Sequence, residues 1–214
     1  EAASEAEPTL PVLYAGLKQH CNQNPMHDAV ISVEFGGGAQ AAALHYRRTS
    51  FAELLSLVHK YERGLSELGL AAGDKVLMLV PPGVEFLAIS YAVIGRGAVP
   101  VFIDPGMGRR NLDRCIADCA PDVMIGTPKA QLLRLVKPAL FRRLKFALTA
   151  SDWFLARGAN LSFLKKFSSA PLEGIPCGGD LAALIAFTSG ATGTPKGVVF
   201  TQSMLRAQLE IFER

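Results

Sequence analysis

No stretch of this 214-residue sequence is apolar and uncharged for long enough to cross a bilayer, so no transmembrane segment is expected. The opening Glu1-Ala2-Ala3-Ser4-Glu5-Ala6-Glu7 lacks the basic and apolar regions of a secretory signal, and residues 1–9 read as a flexible acidic tail. It also lacks an initiating methionine, which points to a processed or excised chain. Excess charge is scarce: 22 Lys and Arg against 19 Asp and Glu leave a formal net charge of +3. The only basic runs are short, such as Arg142-Arg143 and Lys165-Lys166. They read as solvated surface, and nucleic acid is not an expected partner. Cysteine is sparse, four in all, and widely spread. Cys115 and Cys119 share a helical face at i, i+4, as a metal pair or as two buried small side chains. All four histidines (His20, His27, His45 and His59) lie well upstream, which favours burial. The expectation is therefore no metal site, and a reduced, cytoplasmic protein. Short-period repeats and low-complexity linkers are absent too.

Half of the residues are hydrophobic, enough for one large domain with a sizeable core or for two small ones. Leu10, Leu13, Leu17 and Cys21 keep one face of a short helix. Residues 29–35 and 42–46 read as the strands of a hairpin around Gly36-Gly37-Gly38. Ser50-Phe51-Ala52-Glu53 is a capping box opening a helix that runs to Gly69. Residues 76–80 form a continuous apolar run, as in a parallel strand buried on both faces. Beyond it, helix-like and strand-like segments alternate, with strands at 99–103, 123–125 and 145–148. Pro81-Pro82-Gly83 opens one of the helices and Thr127-Pro128 opens another, through Leu132, Leu133 and Val136. Residues 152–171 have the least clear pattern and read as a helix and loop. The fold class expected is α/β: a mostly parallel sheet flanked by helices, with an N-terminal hairpin and a strand–loop–strand near the C-terminus.

That last loop is the chemically informative stretch. Between the apolar runs 181–187 and 197–200 lies Phe187-Thr188-Ser189-Gly190-Ala191-Thr192-Gly193-Thr194-Pro195-Lys196-Gly197. Gly190, Gly193 and Gly197 can take positive φ and leave backbone N–H groups open to a ligand. Four hydroxyl side chains and the Lys196 ammonium add donors, and convergent N–H, O–H and ammonium donors suit a polyphosphate. A plain glycine-rich hairpin loop is the other reading, which four hydroxyls and a lysine in so short a span disfavour. A Walker A loop is excluded. Aligning Gly190 and Lys196 puts Pro195 at its second glycine and Gly197 at its magnesium-binding hydroxyl, and a strand follows instead of a helix.

Residues 188–197 resemble the phosphate-loop signature of the adenylate-forming superfamily, [ST]-[SG]-G-[ST]-T-G-x-P-K-G, failing only at Ala191. Acyl-CoA synthetases, nonribosomal-peptide adenylation domains and luciferases belong to that group. Thr49-Ser50-Phe51-Ala52-Glu53-Leu54 is similar to its early L-T-Y-x-E-L segment. Residues 95–105, ending Ile103-Asp104-Pro105, look like its K-A-G-x-x-x-V-P-I-D-P segment. Ile103-Asp104-Pro105-Gly106-Met107 followed by two arginines is similar to the olefin-biosynthesis β-lactone synthetases, with fatty-acyl-CoA synthetases standing equally.

The resemblance implies an ATP-dependent, AMP-forming ligase that activates a carboxylic acid of the fatty-acid class as an acyl-adenylate. The acyl group then passes to coenzyme A or another acceptor, or closes a β-lactone. ATP and Mg²⁺ are the implied cofactors of the full-length enzyme. Thr188, Ser189, Gly190, Thr192, Gly193, Thr194 and Lys196 are the implied contacts to the β- and γ-phosphates. Family members run to more than twice this length, so residues 10–214 are expected to be the N-terminal portion of an adenylation domain, without complete catalytic residues and inactive alone. A non-catalytic nucleotide-binding domain of the same fold is the alternative, with Ala191 its only support.

Overall fold

The computed structural model describes residues 10–35, 44–152, 158–188 and 194–212. Helix α1 (Val12–Gln23) leads into an antiparallel hairpin of β1 (Asp28–Phe35) and β2 (Leu44–Ser50). β2 runs four residues further than the sequence pattern indicates, because its cross-strand partners continue to Asp28. Its end is the start of α2 (Phe51–Glu67), and the capping box forms as expected. The Glu53 amide donates to Ser50 Oγ at 3.2 Å, and the Ser50 amide donates to Glu53 Oε2 at 2.8 Å. Two otherwise orphaned backbone donors are thereby satisfied. Past the end of α2, Gly69 sits at φ +90°, where a side chain would be strained.

The remaining strands build one seven-stranded sheet. They are β3 (Lys75–Leu79), β4 (Val99–Ile103), β5 (Val123–Gly126), β6 (Phe146–Thr149), β7 (Ala159–Asn160), β8 (Ala182–Thr188) and β9 (Lys196–Thr201). Their order is β7-β6-β5-β3-β4-β8-β9, parallel throughout except for the β8–β9 pair. The unclear stretch after residue 151 supplies β7 and the short helix α6 (Leu161–Lys165). Helices α3 (Val84–Gly95), α4 (Arg109–Cys119), α5 (Pro128–Val136) and α7 (Gln202–Phe212) complete the chain.

Apart from Lys75 at the start of β3, the central strands β3, β4 and β5 carry no polar side chain, because both sheet faces are covered. Val76, Met78, Val123 and Ile125 point into a core with α2, α3 and α6, whereas Leu77, Val101 and Met124 point into a second core with α4. Burying each such side chain stabilises the fold by roughly 1.5–3 kcal/mol. Cys115 and Cys119 belong to the second core, where the Cys115 thiol donates to Met107 Sδ at 3.6 Å and the Cys119 thiol to the Ile116 carbonyl at 3.4 Å. Burial pushes the Cys119 thiol up to about 12. Two apolar faces differ from the sequence reading. In α1 the buried residues are Tyr14 and Leu17, while Cys21 is only half-buried. In α5 Leu132 and Val136 are exposed, and Leu133 alone of the three packs inward.

One carboxyl lies inside the first core. Glu62 of α2 is 1% exposed and accepts a hydrogen bond from the Tyr14 hydroxyl at 3.1 Å, in a space that exists because Gly95 of α3 has no side chain. Burial raises its pKa to about 7, against the lowering pull of the Tyr14 hydrogen bond and the charges of Arg96 and Lys18. A carboxyl raised in the fold contributes stability that is intact below its unfolded pKa and is lost as pH rises through the folded value. The window here runs from about 4.5 to about 7. Glu62→Gln, which cannot ionise, is therefore expected to gain about 2–3 kcal/mol relative to the parent between pH 4 and pH 8. Urea denaturation at the two pH values measures it. A difference that does not change with pH would mean that Glu62 titrates in the fold as it does in the unfolded chain.

Candidate functional site

Strands β3, β4, β5 and β8 run parallel, so their C-terminal ends share one edge of the sheet. Ligands of open α/β sheets bind outside that edge, where the loops leave the strands. The chain leaves β8 there at Thr188 and re-enters β9 at Lys196, and these two residues are paired across the antiparallel ladder. The loop of seven residues between them is thus pinned at both ends on the edge where a ligand would lie. Strand β8 holds its place through Ile185, Ala186 and Phe187, which pair with Val101, Phe102 and Ile103 of β4.

Of the residues singled out in the sequence, Thr188, Thr194 and Lys196 are exposed, with Pro195 buried between the last two. Ser189, Gly190, Thr192 and Gly193 lie outside the described residues, as does Ala191. Lys196 is exposed, and among the described residues it makes no ion pair. Gly197 plays a different part from the one its sequence context implies. It is absent from the positive-φ glycines and lies in β9 opposite Phe187, whose ring an added Cβ would meet at 3.0 Å. Glycine there permits a close cross-strand approach to the Phe187 ring. Phe187 is itself buried in the second core, so this contact anchors the base of the loop.

The neighbouring strand brings further polar groups to the same edge. β4 ends at Ile103, the partner of Phe187, and Asp104 follows. The Asp104 carboxylate accepts from the Gly106 amide at 2.8 Å and caps a 3₁₀ turn over residues 105–107. Its contact in this structure is with backbone. After Gly108, at φ +87°, helix α4 opens with Arg109 and Arg110, both exposed. Nothing in their sequence spacing ties these arginines to residues 80 positions away; only the β4–β8 pairing does so. Among the described residues no group of three His, Cys, Asp or Glu side chains gathers into a metal site.

Comparison with known proteins agrees with this architecture. The AMP-binding enzyme family matches residues 17–213. An olefin β-lactone synthetase of Xanthomonas campestris pv. campestris is 32% identical over 95% of this chain, which spans 36% of that protein. A long-chain-fatty-acid–CoA ligase of Mycobacterium tuberculosis is 31% identical over 75% of the chain, spanning 31% of its own length. Among solved structures, an anthranilate CoA ligase in complex with anthranoyl-AMP superimposes with a TM-score of 0.75 at 16% identity, covering 98% of this chain and 38% of the ligase. The chain thus spans about a third of the length of the relatives it matches.

Proposed function

The chain belongs to the AMP-binding enzyme family, and from that premise we propose that it carries the phosphate-binding part of an ATP-dependent, AMP-forming ligase acting on a carboxylic acid. The observation that carries this reading is the Thr188–Lys196 pair, which pins both ends of a hydroxyl- and glycine-rich loop at the ligand edge of the sheet and sets an exposed lysine there. A carboxylate is a weak electrophile. It becomes reactive by attacking the α-phosphate of ATP, which forms the acyl-adenylate and breaks the bond to pyrophosphate. The leaving pyrophosphate concentrates negative charge, and donors already aimed at it stabilise the transition state more than the ground state. Thr188, Ser189, Gly190, Thr192, Gly193, Thr194 and Lys196 are assigned to its β- and γ-phosphates. Mg²⁺ accompanies ATP as its counter-ion. The described residues of this chain form no cluster to hold it, and their assigned contacts are to the phosphates.

A fatty acid is the substrate class supported by likeness to the long-chain-fatty-acid–CoA ligase. Two fates remain for the acyl group, and likeness to the olefin β-lactone synthetase over 95% of the chain keeps the second in play. Either a thiol such as coenzyme A captures the carbonyl, or a hydroxyl on the same acid closes a lactone. Exchange of labelled pyrophosphate into ATP by the full-length protein, with a panel of fatty and 3-hydroxy fatty acids, tests the reading. Exchange that depends on the acid is expected, followed by thioester or lactone as product. Release of ADP and phosphate without an acid requirement would overturn it. Residues 1–214 alone are expected to bind ATP weakly, because water and salt screen the attraction between exposed Lys196 and a hydrated triphosphate. They are expected to form no adenylate, because the chain spans about a third of the length of its relatives.

A further inference from the structure

Helix α5 presents the wrong side to solvent for an ordinary surface helix. Ala130 and Leu133 pack on the second core, and the Gln131 side-chain amide donates to the Leu148 carbonyl at 2.9 Å, which holds the helix over β5 and β6. Leu132, Leu135 and Val136 are left 58%, 67% and 75% exposed. They stand at i, i+3 and i+4 and so form a single stripe. No residue of α5 is fully buried. Exposed Pro138 and Ala139 extend the stripe into the following turn.

The sequence segment that carries this stripe has charge of one sign. From Val123 to Ser151 the sequence has six cations, Lys129, Arg134, Lys137, Arg142, Arg143 and Lys145, and no carboxylate. Three of the six are met by acids from elsewhere: Lys137 by Asp113, Arg143 by Asp122 at 3.4 Å and Lys145 by Asp74 at 2.6 Å. Among the described residues Lys129, Arg134 and Arg142 make no ion pair. Lys129 is exposed three residues before Leu132 on the same helix, and Arg142 is exposed just after the turn that follows α5. Aliphatic side chains rimmed by lysine and arginine are what an anionic membrane surface binds. The acyl boundary takes the Leu and Val side chains while the lipid phosphates take the cations. Nor does any helix among the described residues have the length and hydropathy to span a membrane, so such binding would be in the plane of the surface.

We propose that the α5 face, Leu132, Leu135 and Val136 with Lys129 and Arg142, is a peripheral docking surface for anionic lipid membranes. Helix α5 lies over β5 and β6, separated in the sheet order from β8 and β9 by β3 and β4, so the proposal stands independently of the phosphate loop. Binding through three aliphatic side chains is reversible and salt-sensitive.

Co-sedimentation of the full-length protein with vesicles of phosphatidylcholine and phosphatidylglycerol at 3:1 tests it. Binding at 0.1 M NaCl is expected, with at least tenfold less on pure phosphatidylcholine and release at 0.5 M NaCl. Leu132→Ser/Leu135→Ser and Lys129→Gln/Arg142→Gln should each lower the vesicle partition coefficient about tenfold or more. All four substitutions are at exposed positions, and unchanged circular dichroism verifies that the fold survives. A protein that stays in the supernatant with anionic vesicles overturns the proposal, as does binding that neither pair of substitutions weakens. If Leu132→Ser/Leu135→Ser instead converts an oligomer to a monomer and vesicle binding is absent, the face is a protein interface and the proposal is wrong.

Discussion

Lys196→Ala in the full-length protein is expected to slow acid-dependent pyrophosphate exchange by about a hundredfold, at saturating ATP, with little change in stability. Removing one donor aimed at charge that develops in a transition state costs on the order of 3 kcal/mol, and two powers of ten in rate correspond to that. Little change in the fold is expected because Lys196 is exposed and is in no ion pair among the described residues. Surface substitutions of that kind usually shift stability by less than about 0.5 kcal/mol. Lys196→Arg should recover the rate only in part, since a planar guanidinium cannot reproduce a compact ammonium. Steady-state exchange and the thermal midpoint, measured side by side, check the two halves. If Lys196→Ala keeps the parent's exchange rate, the phosphate role is wrong; if it loses rate and midpoint together, the lysine supports the fold.

Gly95→Ala is expected to be among the most damaging glycine-to-alanine changes at the described positions. The added Cβ would lie 2.2 Å from Glu62 Oε1 and 2.7 Å from the Tyr14 ring. Three helices meet at this point, α1 through Tyr14, α2 through Glu62 and α3 through Gly95. Overpacking a tight core costs about 1–3 kcal/mol. Pushing Glu62 away from the Tyr14 hydroxyl leaves buried polar groups unsatisfied, for about 1–3 kcal/mol more. Against a typical stability of about 5–15 kcal/mol, that sum should sharply reduce soluble yield. Shortening Glu62 to alanine removes the nearest clash, so Gly95→Ala should cost at least about 1 kcal/mol less in that background, by a double-mutant cycle. Gly16→Ala in α1 is the control: an added Cβ meets nothing within 4 Å, and a better helix former should be neutral or stabilising. Equal effects of the two alanines would refute the packing account.

Local chemistry was the part legible without a structure. The capping box at Ser50 and Glu53, the Thr127-Pro128 helix start and the continuous apolar strands each act over a few residues, so composition and spacing reveal them. The strand–loop–strand on which the phosphate proposal rests was readable for the same reason, as a dense run of donors between two apolar runs. Positions whose meaning depends on a distant partner were not. Gly197 looks like a loop glycine until Phe187 is found across the ladder, and Gly95 like an ordinary helix end until Glu62 and Tyr14 converge on it. The apolar pattern of α5 implied a buried face, yet Leu132 and Val136 are exposed, because periodicity shows that a helix has an apolar side and not what lies against it.

By itself, then, the sequence determined the α/β class, most of the elements and the loop on which the functional proposal rests, all of which follow from interactions between near neighbours in the chain. The strand order was decided only in three dimensions. The central strands are all predominantly apolar and so similarly suited to an interior position, and the choice falls to which helices and faces pack together. That choice sets β4 against β8, and with them brings Arg109 and Arg110 to the sheet edge where Lys196 stands.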